Sequence, residues 1–157
     1  MQIQIAKNHD KPHVIRYIRD DGTETWMYSD DFFVRHDLSH YAIETVLEYK
    51  TAFNGMPNGG VDIKDFEDRE KRLQMIITPE AAYAENMANL FLMETSQGEF
   101  EDFNLVQQQA ITPFREQFPE ITLPVEKIDS IRRFLRELLQ NWKDLPVGQT
   151  LELSFTA

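Results

Sequence analysis

Alternating polar and apolar residues predict a β-strand at each end of the chain. Residues 2–7 and residues 149–156 both alternate in this way. Successive side chains of a strand point to opposite faces, so each segment has one apolar face to bury. We predict that the last strand returns to pair with an N-terminal sheet. The apolar positions are Ile3, Ile5, Leu151, Leu153 and Phe155.

A second alternating region predicts a β-hairpin. Residues 13–20 and 23–29 flank Asp21-Gly22, a dipeptide typical of a two-residue type I′ turn. A turn of that length also predicts the pairing register of the two strands. The predicted pairs, which would share one face, are Arg19 with Glu24, Tyr17 with Trp26, and Ile15 with Tyr28.

Apolar residues that recur every three or four positions predict helices in the rest of the chain. The start signals are strongest at Thr78-Pro79-Glu80 and at Pro124, while Pro113 and Pro119 interrupt the chain before the last helix. Predicted helices cover residues 63–73 behind an Asp62 cap, 79–95, 99–109 and 124–144, and a central helix runs from near His36 to about Phe53.

These elements predict an α+β fold in one domain, residues 1–157. An antiparallel sheet of about four strands, three of them N-terminal and one C-terminal, would pack against four or five helices. The first residue of the central helix is open, because residues 32–35 fit an extended or a helical backbone.

The central helix carries a row of polar residues on one face. At about 100° per residue, His36, His40 and Glu44 stand one above another, with Asp37 and Glu48 beside them. The opposite side is apolar, which predicts that the helix is largely buried. We therefore expect the polar row to face a pocket rather than open water.

This row predicts a divalent-metal site. Two imidazoles one helical turn apart can bind one ion, and Glu44 could supply a third ligand. Asp37 could be the catalytic base that acts on a metal-bound water, or could orient a ligating histidine. Zinc fits nitrogen and carboxylate ligands best, with nickel, iron and manganese left open. The alternative is a solvated helix face that binds no metal.

Glu85, on the predicted helix 79–95, is the candidate ligand from outside the central helix. It interrupts a stripe of small and apolar residues that includes Ala81, Ala88 and Leu92. A carboxylate among such neighbours costs free energy unless it is paired or binds an ion. The alternative is that Glu85 lies at the edge of the stripe and points to water.

Composition narrows the classes of function. The formal net charge of −11 disfavours nucleic acid, which is bound through clustered basic side chains. The absence of cysteine excludes disulfides and thiolate ligands. The sequence predicts neither a signal peptide nor a membrane-spanning helix, so we expect a cytoplasmic protein without a membrane partner. A small-molecule or peptide ligand and a homodimer are left open.

Two stretches carry a resemblance to known proteins. The sequence RDDGTETW at residues 19–26, followed by HDLSHYAIE at residues 36–44, resembles a family of small uncharacterised bacterial proteins. That family implies no activity. The segment HDLSH at residues 36–40 is also similar to the HExxH motif of zincins, with Asp37 in place of Glu. It resembles the HDxxH zinc motif of ubiquinone-biosynthesis scaffold proteins as well, without the glutamate that follows that motif.

The leading functional prediction is a divalent-metal-binding protein that acts as a metal-dependent hydrolase. The predicted ligands are His36, His40, Glu44 and Glu85, with Asp37 as base or orienting acid. The alternative is a non-catalytic module that binds a small ligand or a protein and holds no metal.

Overall fold

A computed structural model describes residues 1–112 and 116–156 and confirms the α+β fold. Within those residues it contains four strands, six helices and one 3₁₀ turn. The break predicted at Pro113 lies outside the described residues. The elements are β1 (Gln2–Ala6), β2 (His13–Ile18), β3 (Glu24–Ser29), α1 (Asp31–Leu47), α2 (Gly55–Asn58), the 3₁₀ turn (Ile63–Phe66), α3 (Arg69–Gln74), α4 (Pro79–Gln97), α5 (Phe103–Ile111), α6 (Val125–Asp144) and β4 (Thr150–Ser154).

The four strands form one antiparallel sheet in the order β3-β2-β1-β4. The predicted return of the C-terminal strand is confirmed, since β4 pairs with β1 along its whole length. The paired registers place one set of side chains on the face that packs against the helices. These side chains are Ile3, Ile5, Ile15, Tyr17, Thr25, Met27, Leu151 and Leu153.

The predicted hairpin forms, but its predicted register is wrong by one residue. Tyr17 pairs with Thr25, so that Trp26 lies on the opposite face of the sheet from Tyr17. The loop has three residues, because Arg19 N donates to the Thr23 carbonyl and Gly22 N donates to the Arg19 carbonyl. Gly22 adopts a φ of 84°, the left-handed conformation that closes a three-residue hairpin loop.

α1 begins and ends earlier than the helix predicted from near His36 to about Phe53. Its first turn starts at Asp31, where the Asp30 carboxylate accepts a hydrogen bond from Phe33 N. The prediction that the helix runs to about Phe53 is wrong, since it ends at Leu47 and Glu48 takes the left-handed conformation. The reason is a tertiary contact. The Glu80 carboxylate on α4 binds the amides of residues 50 and 51 and holds them away from a helical path.

The other helices follow their local signals in part. α4 starts as predicted, with the Thr78 hydroxyl accepting from Ala81 N, and the apolar stripe of α6 is buried. The single helix predicted over residues 63–73 is instead a 3₁₀ turn followed by α3, because Asp68 caps a new helix. α5 starts at Phe103 rather than residue 99, since Asp102 caps it.

α1 is the centre of the helical layer. It packs against α4 on one side and α6 on the other, and the Tyr41 hydroxyl donates to the Ser154 carbonyl of β4. Trp142 of α6 donates its indole N–H to Asp31 at 2.8 Å. No helix within the described residues has the length and apolar character needed to cross a membrane. The first two turns of the polar row of α1 face Glu85 of α4.

Candidate metal centre

α1 and α4 bring three donor side chains together. His36 and His40 lie one turn apart on α1 and their rings are 4.7 Å apart, centroid to centroid. Glu85 of α4 reaches both, with Oε1 3.4 Å from His36 Nε2 and Oε2 3.0 Å from His40 Nε2. The three residues, named the donor cluster below, offer ligand atoms within 4.8 Å of one another. This arrangement could hold a metal ion.

Two of the distances between these atoms are near the separation of the ligand atoms around a small metal ion. A tetrahedral zinc ion with bonds of about 2.0–2.1 Å keeps its donor atoms roughly 3.3–3.4 Å apart. The two histidine–carboxylate distances lie at or slightly below that separation. The ligand atoms of all three residues lie within 4.8 Å of one another, so the side chains would draw together around a bound ion. The Glu85 side chain is 58% exposed, which leaves a route from solvent to the cluster.

Each imidazole also has a carboxylate at its other nitrogen. Asp37 Oδ1 lies 3.8 Å from His36 Nδ1, and Glu44 Oε1 lies 3.3 Å from His40 Nδ1. A carboxylate in that position favours a proton on Nδ1 and leaves Nε2 free to bind a metal. The His40–Glu44 pair is close to the hydrogen-bonded carboxylate–histidine arrangement of metal proteins, whereas the His36–Asp37 pair is too long for a hydrogen bond.

The pair formed by His40 and Glu44 is fully enclosed. His40 is 2% and Glu44 is 1% exposed. The other Glu44 oxygen, Oε2, accepts a hydrogen bond from Asn54 N at 2.8 Å. Oε1 and His40 Nδ1 face each other, but neither has a well-aligned hydrogen bond within the part of the chain that the structure describes. Buried polar atoms seldom remain unpaired, and a small rotation of the ring would join these two.

The carboxylates stabilise positive charge at the donor cluster. Interaction with Asp37, and then with Glu85, raises the pKa of His36 from 6.5 to about 9. Burial alone would lower the pKa of His40, but Glu44 and Glu85 outweigh burial and raise it. His36 and His40 in turn hold the pKa of Glu85 well below its usual range. A divalent ion with two neutral imidazoles carries the same charge as two imidazolium groups, so it could replace both protons.

Burial changes the pKa of two groups beside the cluster, Asp37 and Tyr17. Burial raises the pKa of the Asp37 carboxyl, against the opposing effect of His36. Burial also raises the pKa of the Tyr17 hydroxyl well above its ordinary value, and the charges of Asp37 and Glu44 raise it further. Tyr17 therefore stays protonated behind the polar row at neutral pH. The predicted pocket-facing row is thus a charged network with a neutral phenol beneath it.

A cavity of about 1280 Å³ opens beside the donor cluster. The prediction that the polar row faces a pocket is confirmed for its first two turns, because His36, Asp37 and His40 line this cavity. The rest of the wall is largely apolar. It includes Phe53, Met56, Ile63, Phe66, Ile77 and Ala81, and we name the whole space the apolar cavity.

The predicted site residues do not all meet at one point. Glu85 joins His36 and His40, whereas Glu44 faces the far nitrogen of His40. The sequence analysis missed Asn89, whose side-chain amide donates to Glu85 Oε1 at 3.0 Å. Its position four residues after Glu85 on the same helix is a signal that could have identified it.

The segment after α1 closes one side of the site. Phe53 lies against His40, with ring centroids 5.1 Å apart, a contact the sequence analysis did not foresee. Arg19 holds this segment against the hairpin by donating to the carbonyls of Pro57 and Val61. The Thr25 hydroxyl also accepts from Ile63 N. The hairpin residues therefore support the wall of the site.

Comparisons with protein-family models, with curated proteins and with solved structures found no match. The resemblance of residues 19–26 and 36–44 to a family of small bacterial proteins stays a prediction.

Proposed function

We propose that this protein binds one divalent cation, most suitably zinc, through His36 Nε2, His40 Nε2 and the Glu85 carboxylate. The supporting observation is the convergence of these three side chains from two helices, with a carboxylate at the Nδ1 of each imidazole. Nitrogen and carboxylate donors at this spacing suit zinc better than calcium or magnesium, which prefer oxygen ligands.

We further propose that the bound ion supports hydrolysis. Three protein ligands leave a fourth position for water or substrate, which is the pattern of catalytic rather than structural zinc sites. The three proposed ligands line the apolar cavity, so a substrate bound in the cavity could reach that position. A divalent ion there would lower the pKa of a bound water and polarise a substrate carbonyl.

Two acids would support the ligands rather than bind the ion. Glu44 would keep the proton of His40 on Nδ1, and Asp37 would do the same for His36. Asp37 also lines the apolar cavity, so a role as base for the attacking water is compatible with its place. An Asp37→Asn variant that keeps metal but loses turnover would support either role, and a normal turnover would exclude both.

The test is elemental analysis of protein purified without a histidine tag, followed by zinc titration. We expect close to one metal per chain in the wild type, and at least a hundredfold weaker zinc binding in His40→Ala and Glu85→Ala. Glu48→Gln is the control, because Glu48 is exposed and lies outside the cluster. The melting temperature at neutral pH should fall when a chelator is added. A melting temperature that the chelator does not change, together with no bound metal, would refute the proposal.

A metal-free binding module is the second candidate. The observation in its favour is that the two imidazoles already have carboxylate partners of their own, since Glu85 lies within 3.4 Å of both. Such a network could hydrogen-bond a ligand directly. The same metal analysis separates the two, because this candidate requires wild-type stability to be independent of zinc.

A further inference from the structure

The size of the apolar cavity is the starting point. At about 1280 Å³ it exceeds the range of roughly 300–1,000 Å³ that is usual for sites of small ligands. Its walls come from separate elements. Phe53 and Phe66 lie on one side, Ala81 lies on α4, and Phe118 lies in the segment before α6. A small polar metabolite would leave most of this wall unfilled.

Three large apolar side chains stand among the polar residues at the mouth of the cavity. Tyr28, Phe33 and Ile77 line the cavity while remaining 60%, 56% and 63% exposed. Exposed large apolar side chains at the rim of an apolar space mark a site that a ligand or partner covers. The rim therefore extends the apolar surface that an occupant would bury.

The charged residues near the donor cluster limit the charge that the polar group of a ligand can carry. Asp37 and Glu85 line the cavity beside the two histidines, and Asp30, Asp31 and Glu67 add further acids. Besides the two histidines of the cluster, the basic side chains among the described lining residues are Lys11, Arg72, His9 and His13. Even with a divalent ion bound, the carboxylates around the histidines outnumber its charge. A neutral carbonyl is therefore accommodated at lower cost than a carboxylate or a phosphate.

We propose that the apolar cavity binds a neutral acyl compound, an ester or an amide, whose acyl group is an extended apolar chain. The assignment of hydrolysis to this compound rests on the proposed function. One water is consumed: its oxygen bonds to the carbonyl carbon, and the bond from that carbon to the alkoxy oxygen or amide nitrogen breaks. One hydrogen of the water ends on the leaving group and the other is released as a proton from the new acid.

Ala81 determines how closely the acyl chain approaches the donor cluster. It lies one helical turn before Glu85 on α4 and lines the cavity. A tryptophan at this position would fill the space next to the cluster without removing a donor. Leu105→Trp is the matched control, because Leu105 is 51% exposed on α5, away from the cavity.

The experiment measures binding of N-methyl alkanamides, from acetyl to decanoyl, by isothermal titration calorimetry. We expect the affinity to rise roughly three- to fourfold for each methylene buried. Octanoate should bind more weakly than N-methyl octanamide, because its charge is unfavourable beside the acids. Ala81→Trp should weaken decanoyl amide binding at least tenfold, and Leu105→Trp should leave it unchanged.

A second variant keeps the test valid if Ala81→Trp does not fold. Ile77→Asp replaces an exposed rim residue, so the core stays intact, and it should weaken long-chain amides more than the acetyl amide. The inference is overturned if affinity does not depend on chain length, if octanoate binds more tightly than the amide, or if neither folded variant affects long-chain binding.

Metal content measured on the same samples separates this inference from the proposed function. Bound zinc with no dependence on chain length would refute the acyl-chain inference alone. Chain-length dependence without bound zinc would refute the metal centre and leave the apolar cavity as a binding site. The His40→Ala variant should lose zinc while its affinity still increases with each methylene.

Discussion

Replacing Glu44 with Gln tests whether this residue is a ligand or a supporting acid. Glu44 is enclosed, with Oε2 bound to Asn54 N and Oε1 3.3 Å from His40 Nδ1. The amide of Gln has the same size but only one acceptor oxygen. If that oxygen keeps the bond to Asn54 N, the NH₂ group faces His40 Nδ1. His40 would then have to accept at Nδ1 and carry its proton on Nε2, where the metal should bind.

The expected loss of zinc affinity follows from this change of tautomer. Groups that orient a metal ligand typically contribute a factor of about 10–100, or roughly 1.4–2.7 kcal/mol. Glu85→Gln removes a charged donor that contacts both imidazoles, so its loss should exceed a hundredfold. Glu44→Ala should also destabilise the metal-free protein by about 1–3 kcal/mol, because Asn54 N loses its acceptor in a buried place.

The assay is competition for zinc with a chromophoric chelator at fixed pH, alongside urea denaturation of the metal-free proteins. Glu48→Gln is the control, since Glu48 is the exposed C-cap residue of α1. A loss in Glu44→Gln as large as that in Glu85→Gln would make Glu44 a ligand and refute the reasoning. Wild-type affinity in Glu44→Gln would show that the tautomer of His40 does not depend on this acid.

Three further predictions concern the segment that closes the site. Gly55→Ala should destabilise the fold by about 1–3 kcal/mol in urea denaturation, because the new Cβ would overlap the Lys50 carbonyl; Gly59→Ala, with ordinary contacts, is the control, and equal effects would contradict this account. Burial alone would raise the pKa of Glu80, but hydrogen bonds from the loop after α1 outweigh burial and lower it. The stability that ionised Glu80 contributes to the fold is therefore present above its usual pKa of 4.5. It is lost as the pH falls through the lower pKa that Glu80 has in the folded protein. The free energy of unfolding of Glu80→Gln should accordingly be about 1 kcal/mol lower than that of the wild type at neutral pH. The difference should shrink when unfolding is measured at acidic pH, and a difference that does not change with pH would contradict this prediction. Arg19→Ala should lower the free energy of unfolding by about 1–2 kcal/mol and speed amide hydrogen exchange over residues 55–62, because two carbonyls there lose their hydrogen-bond donor. Unchanged exchange would show that Arg19 does not hold this segment in place.

The sequence by itself determined the features that depend on spacing along one element. Alternation in residues 2–7 and 149–156 identified β1 and β4 and their buried faces. The four-residue spacing of His36 and His40 placed both imidazoles on one side of α1, since helical geometry sets that relation locally. Thr78-Pro79 set the start of α4 in the same local way.

Contacts between residues distant in sequence decided the hairpin register and the end of α1. The Asp21-Gly22 dipeptide is compatible with loops of two or three residues, and pairing in the sheet settled on three, which moved Trp26 to the other face. The end of α1 depends on Glu80, thirty residues along the chain, because only a folded α4 brings that carboxylate to the amides after Leu47.

The same physical reason applies to the donor cluster. The sequence marked Glu44 and Glu85 as candidates from their positions on two helices, but helical periodicity cannot say which nitrogen of His40 each one meets. Packing of α1 against α4 places Glu85 at Nε2, facing the apolar cavity, and leaves Glu44 at Nδ1, enclosed in the core. The approach of two helices is a property of their side-chain packing, which the spacing within either helix does not contain.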